Sequence, residues 1–266
     1  MDTFGKAQTY YRYFKDFIKH REFGFILTSI GYELFGRPGK KSGEYTSSLG
    51  RFFIRSGTLD FKFANFAYEW PLKKFILKHH TDYSIFLDIG ANIGVYSILM
   101  AGKGLKCHAF EPMPDNYQAM IRNFELNKLE NNIRSHNIAL GNEECYCEFI
   151  YEKVNTGASR IATRQGDFHR TKSSDEKVLS RVRTLDGISK ELLISNDDKL
   201  LIKIDAEGME HSIIEGAIEF LKTHRYILLI VEKKYQSVEM LTKTLNLSGN
   251  FKCIPVDEYN LAFLKI

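Results

Sequence analysis

Two segments carry residues whose types and spacing could do chemistry. Asp88-Ile89-Gly90-Ala91-Asn92-Ile93-Gly94 follows the apolar run Ile85-Phe86-Leu87 and precedes the helix-like Val95-Tyr96-Ser97-Ile98-Leu99-Met100-Ala101. A strand that enters a tight glycine turn and then a helix sets free N–H groups and a positive helix end beside the strand's carboxyl end. A cofactor can sit there, and glycine permits the close approach and the dihedrals that a side chain would forbid. Leu200-Leu201-Ile202-Lys203-Ile204-Asp205-Ala206-Glu207-Gly208-Met209-Glu210 repeats the design. Two such ends predict a cleft between adjacent strands. Asp205 and Glu207 reach it as the catalytic candidates, one as general base and one orienting the acceptor, with the division open.

The ligand follows from what the turn lacks. A dinucleotide fingerprint needs a second glycine so that backbone can approach a pyrophosphate, and Asn92 stands in that place. Asp88 is unwelcome to two phosphates but suits an amino group, unless it merely caps the following helix. Glu111 ends the second strand, where a carboxylate can take both hydroxyls of a ribose. An amino group and a ribose without phosphate describe S-adenosylmethionine, with S-adenosylhomocysteine as the product. Gly90, Ala91, Asn92 and Gly94 form the cofactor turn, and Asn137 and Ala139 end the third strand, either as an ordinary strand end or where an adenine edge would lie in this fold. The competing readings are an NAD-dependent oxidoreductase and a catalytically silent cofactor-binding module. The carboxylates could hold a metal that acidifies a hydroxyl, but no histidine–carboxylate cluster supports one, so no metal is expected.

The elements that position these residues alternate from residue 84 onward. Strands are predicted at 85–88, 106–110, 133–138, 178–183, 199–204 and 226–232, with helices at 93–102, 114–127, 185–194, 209–221 and 236–246. That is the pattern of a Rossmann-like, doubly wound, mostly parallel α/β sheet. Cys145–Tyr151 alternates like an exposed or antiparallel strand, and a polar loop spans 152–177. Phe251–Val256 and Leu261–Ile266 read as a terminal antiparallel hairpin. Residues 1–80 read as an N-terminal helical and aromatic cap, and 81–266 as the catalytic domain. Phe61, Phe63, Phe66, Tyr68 and Trp70 cannot all face water, so they are expected to roof the cleft, with Tyr68 and Trp70 against the acceptor. His211, in the first turn of helix 209–221, and Glu232, at a strand end, are further acceptor-side candidates. Glu210 reads as structural, at a helix N-terminus, and Asp205 as an alternative cap. Lys203 lies among apolar strand residues and needs a carboxylate partner.

Bulk properties narrow the class. The chain has 266 residues, 44% of them hydrophobic, and a net charge of +4. No basic block resembles a nucleic-acid tail, so no nucleic-acid partner is expected. The start opens no signal-peptide core, Tyr226–Val231 is far too short to span a bilayer, and the expected location is cytoplasmic. Cys107, Cys145, Cys147 and Cys253 show no Cys-x-x-Cys pair and read as reduced thiols. Residues 7–20 form a basic aromatic helix with Tyr10, Phe14, Phe17 and Ile18 on one face. Such a helix can lie on a membrane, on the body of the protein or on a second copy. Arg37–Gly43 is a turn-rich break.

Over residues 84–266 the chain resembles the FkbM-type methyltransferases, a branch of the class I S-adenosylmethionine-dependent group. Asp88–Gly94 matches that family's first motif, Glu111-Pro112 its second, and Lys203-Ile204-Asp205-Ala206-Glu207-Gly208-Met209-Glu210 its diagnostic Lys-Ile-Asp-x-Glu-Gly-x-Glu segment. Val182-Arg183-Thr184-Leu185-Asp186 matches its lead-in, and Tyr68-Glu69-Trp70 is a weaker echo. The resemblance implies a seven-stranded sheet ending in an antiparallel hairpin and Pro112 beside the cofactor. It also implies methyl transfer to an oxygen of a sugar, lipid-linked glycan or polyketide. Relatives place a histidine soon after the residue equivalent to Glu232, whereas this chain has Lys233-Lys234. The expected activity is therefore O-methylation of a saccharide or glycan hydroxyl, with a carboxylate as base.

Overall fold

The computed structural model describes residues 15, 18, 19, 22–36, 38, 39, 41–162, 175–234 and 236–266. Most of the helix expected over 7–20, and Arg37 and Lys40 of the turn-rich break, lie outside the described residues. Ahead of the expected domain are helix α1 (Phe23–Phe35), a hairpin of β1 (Gly43–Ser47) and β2 (Gly50–Ile54), and helices α2 (Asp60–Phe63) and α3 (Trp70–His79). The hairpin was not legible in the sequence. Its edge is covered by a helix: Asn123 Oδ1 accepts from the Phe53 N–H at 2.7 Å, and Asn127 exchanges two bonds with the Arg51 backbone. Those side chains satisfy backbone groups that an open edge would leave bare.

The central sheet has seven strands: β3 (Ile85–Ile89), β4 (Lys106–Phe110), β5 (Ile133–His136), β10 (Lys199–Ile204), β11 (Tyr226–Glu232), β12 (Phe251–Pro255) and β13 (Asn260–Lys265). Their order is β12-β13-β11-β10-β3-β4-β5; all pairs are parallel except β11–β13 and β12–β13. This is the expected doubly wound sheet with its terminal hairpin. Alternate residues of β3 face opposite cores, Phe86 on one side and Leu87 and Ile89 on the other. Helices α4 (Val95–Ala101) and α5 (Pro114–Leu126) cover the first side, and α6 (Leu185–Leu192), α7 (Glu210–Glu215), α8 (Ile218–Thr223) and α9 (Val238–Leu245) the second. Leu49, Phe52, Phe61, Leu72 and Ile76 share the first core with Ile98 and Phe124, so the expected boundary near residue 80 does not separate two cores.

Two sequence expectations change. Residues 139–183 build a second sheet, in the order β6-β9-β7-β8: β6 (Ala139–Leu140), β7 (Cys145–Tyr151), β8 (Arg160–Ile161) and β9 (Glu176–Arg183). The single helix expected over 209–221 is two helices, broken at Gly216-Ala217. Asp186 stabilises the break, accepting from the N–H groups of Glu219 at 3.1 Å and Phe220 at 2.7 Å. A carboxylate at a helix start satisfies orphan donors and meets the positive dipole end.

The chain leaves β3 toward β4 and β5 and returns to β10 on the other side, so the crevice opens at the carboxyl ends of β3 and β10. Gly90, at φ +85°, forms the wall between the two strand ends; a Cβ on it would stand 1.8 Å from the Asp205 carbonyl oxygen. Overpacking and left-handed strain each cost about 1–3 kcal/mol. Gly90→Ala is therefore expected to destabilise the protein by about 2–6 kcal/mol on those two terms. Urea unfolding checks this; an unchanged midpoint would show that the wall can yield.

Candidate active site

The inner cavity begins at the end of β4. Phe110, Met113, Ile138, Ala139 and Phe149 give it an apolar slot, and Glu111 stands at its mouth. The Glu111 carboxylate is 4% exposed and accepts from the N–H of Met113 at 2.9 Å and of Asn92 at 2.8 Å. Burial pushes its carboxyl up to about 7, against the pull of those two bonds, Asn116 and Arg55. A relay from the cap orients it. Arg55 pairs with the fully buried Asp60 at 2.7 Å and donates to Asn116 at 3.0 Å. Asn116 Nδ2 in turn lies 3.4 Å from Glu111. The relay escaped sequence reading because its members are 61 residues apart; Asp60 amid aromatic residues was the one available signal.

A second cavity meets the first along Gly90, Asn92, Gly157, Asp205 and Glu207. Lys203, 3% exposed, pairs with Asp205 at 2.9 Å, the partner its position required. Burial opposes its charge, but Asp205, Asp88 and Glu69 outweigh that and hold its pKa above the ordinary range. Glu207 pairs with Lys234 at 3.0 Å and sits at φ +47°, in the left-handed region costly to side chains. Glu210 fixes that turn, accepting from the N–H groups of Ala206 at 3.0 Å and Gly208 at 2.8 Å, the structural role expected. Glu232 has a buried Oε2 with no partner among the described residues. Burial, then Asp205 and Glu207, push its carboxyl up to about 8. One carboxylate oxygen from each of Asp205, Glu207 and Glu232 lies within 4.8 Å of the others, a spacing able to hold a cation. Two of the three already pair with lysines, and no cation is needed to orient them.

Several expected residues stand elsewhere. Asp88 is 1% exposed and lines neither cavity; its Oδ2 accepts from the Ser97 N–H at 3.0 Å and hydroxyl at 2.7 Å, so it caps α4 from beneath. Gly94 faces the Phe124 ring rather than a ligand. Asn137 is a tether, donating to the carbonyls of Glu111 at 2.9 Å and Pro112 at 3.3 Å. His211 turns away to Thr244 Oγ1 at 2.9 Å, because its helix packs on α9. Asp205 lies five residues ahead of α7 and does not cap it. Ala91 lines the second cavity and Pro112 the first, while Tyr68 and Trp70 line an outer vestibule with Asp205 and Glu232. Thr156 and Gly157 in the first cavity, and Glu69 and Lys73 in the second, were missed: the first two lie in an unpatterned loop, and a lysine in a helix reads as solvated.

The two raised carboxyls link stability to pH. Glu111 and Glu232 hold protons in the fold that the unfolded chain releases near its ordinary value of 4.5. Their stabilising contribution is full below that value and is lost as pH rises through about 7 and about 8. Melting temperature from pH 5 to 9 should fall less steeply for Glu232→Gln than for the parent. Equal slopes would place the Glu232 carboxyl at an ordinary pKa.

The donor set fits S-adenosylmethionine: an apolar slot for adenine, an acid for the ribose diol, and paired charges in the adjoining cavity. Comparison with known proteins agrees. Residues 88–249 match the methyltransferase FkbM domain. No curated protein sequence matches significantly. Among solved structures, the chain is similar to the N-terminal domain of human METTL16 in complex with SAH, at 15% identity and TM-score 0.40, covering 89% of this chain and 78% of that one. It is similar to an M. jannaschii tRNA m1G37 methyltransferase at 13% identity and TM-score 0.43, covering 91% and 67%. The match to a Methanococcus jannaschii fibrillarin pre-rRNA processing protein has 13% identity and TM-score 0.38. It covers 69% of this chain and 66% of that protein, just under two thirds. No helix of the described residues is long and apolar enough to cross a membrane. The family match replaces the oxidoreductase alternative: the chain belongs to the FkbM methyltransferase family and is an S-adenosylmethionine-dependent methyltransferase.

Proposed function

We propose that the enzyme methylates a hydroxyl of a saccharide or glycan, with Asp205 as general base. The observation that carries this is the position of Asp205: among the described residues it alone lines the inner cavity, the second cavity and the outer vestibule. It therefore stands where cofactor and acceptor meet. S-adenosylmethionine, when bound, supplies the electrophilic methyl group. The chain's own part is to hold the acceptor oxygen in line and to remove its proton. Lys203 engages Asp205 Oδ2, which leaves Oδ1 to take that proton. Glu232, protonated at neutral pH, donates a hydrogen bond that orients the acceptor oxygen. Glu207 is held by Lys234 and walls the cofactor side.

The vestibule supports a neutral acceptor. Tyr68, Trp70 and Tyr259 offer aromatic faces to the apolar face of a sugar ring, and carboxylates offer acceptors to its hydroxyls. Glu69, Asp205, Asp257 and Glu258 stand against Lys62 and Lys234, an acidic excess that repels a polyanion. RNA is the competing acceptor, and this wall opposes it.

Asp205→Asn is expected to lower kcat by about 10²–10⁴-fold while leaving S-adenosylhomocysteine affinity nearly unchanged. Trp70→Ala should raise the acceptor KM. Transfer of labelled methyl groups to neutral oligosaccharides and to RNA, assayed side by side, separates the acceptors. Label in RNA alone would overturn the proposal, as would full turnover of Asp205→Asn with saturating acceptor.

A further inference from the structure

A buried ammonium lines the second cavity with no ion pair among the described residues. Lys73 is 0% exposed, and among the described residues its ammonium donates one hydrogen bond, to the Tyr68 carbonyl. The rings of Tyr68 at 5.6 Å and Tyr96 at 5.2 Å lie beside it, and Glu69 and Glu22 favour its charge from beyond ion-pair distance. Lys203, whose ammonium also lies near the Tyr96 ring, at 4.7 Å, has Asp205. A buried charge needs a partner, and one that lines a cavity can receive it from a ligand. Glu69 lies four residues earlier, at the N-cap of α3, and the Lys73 N–H donates to its carbonyl at 3.0 Å. Its Oε2 accepts from the Tyr96 hydroxyl at 2.8 Å, which fixes the carboxylate at the cavity wall.

The cofactor's geometry gives this pair a use. Glu111 holds the ribose in the first cavity, and the sulfur must reach the shared wall beside Asp205. The remaining part of the molecule, an amino-acid zwitterion, then extends into the second cavity. We propose that the cap, rather than Asp88 of the glycine turn, binds that zwitterion: the Lys73 ammonium takes the α-carboxylate and the Glu69 carboxylate takes the α-ammonium. The inference rests on S-adenosylmethionine being the cofactor. It makes residues ahead of the family domain part of the cofactor site, and it explains a cation that the fold would otherwise bury at a loss.

Calorimetric titration with three ligands tests it. S-adenosylhomocysteine carries the whole zwitterion, S-(5′-adenosyl)-3-thiopropylamine lacks the carboxylate, and 5′-methylthioadenosine lacks both charged groups. The parent protein should bind the first about tenfold or more tighter than the second, as expected for a hydrogen bond between charged groups. Lys73→Met should erase that preference and leave 5′-methylthioadenosine affinity unchanged. Glu69→Gln should weaken the first two ligands and spare the third. Equal parent affinities for the first two ligands overturn the proposal even if neither variant folds. So does an equal loss of all three ligands in Lys73→Met, which would mark Lys73 as structural. Binding of 5′-methylthioadenosine without the carboxylate preference overturns only this subsite, whereas failure of all three ligands to bind the parent overturns the cofactor assignment with it.

Discussion

The carbonyl oxygen of Asp205 occupies space that a side chain at residue 90 would need, and the catalytic cleft depends on that contact. The Asp205 N–H donates to the Ile89 carbonyl at 3.0 Å, while the N–H groups of Gly90 and Ala91 donate to the Phe110 carbonyl at 3.1 and 2.9 Å. Three neighbouring strands thus end at one point, tied by backbone bonds rather than by side chains. The glycine turn, the acidic turn after β10 and Glu111 after β4 are placed by the same knot. A glycine usually explained by room for a ligand is required here by room for another strand's backbone.

Charge is the second organising feature. The cleft holds Lys73 and Lys203 near the Tyr96 ring, with Glu69 bonded to the Tyr96 hydroxyl. Buried charges of this kind contribute little net stability, because desolvation offsets attraction. Their value is positional. Lys203 fixes Asp205 and Lys234 fixes Glu207, so lysines orient both acids. Glu232 is left without a cation at its buried oxygen and holds a proton instead.

The cap is packed as one body with the family domain. It completes the core that covers one side of the sheet and sends Arg55 to the network behind Glu111. It also brings Tyr68 and Trp70 to the vestibule. The expected aromatic roof is divided: Phe61 is buried in the core, Phe63 lines the second cavity, and Phe66 packs on Trp70 at 4.8 Å. Aromatic side chains both fill cores and face ligands, and composition alone does not separate the two uses.

The sequence by itself determined the alternation of strands and helices, the terminal hairpin, and both acidic strand ends with Glu111. Each of these is a local pattern, since apolar period, glycine position and an acid after a strand are read within a dozen residues. Its family resemblance followed from the same motifs in order. Tertiary structure decided what each charge is for. Asp88 and Glu111 look alike in the chain, each an acid beside a strand end, yet Asp88 gives its Oδ2 to Ser97 and lines neither cavity, while Glu111 faces one. Lys73 reads as one more helical lysine, and only the packing of Tyr68 and Tyr96 around it makes it a buried cation. The physical reason is that desolvation and partner choice depend on neighbours distant in sequence, and no local pattern encodes them.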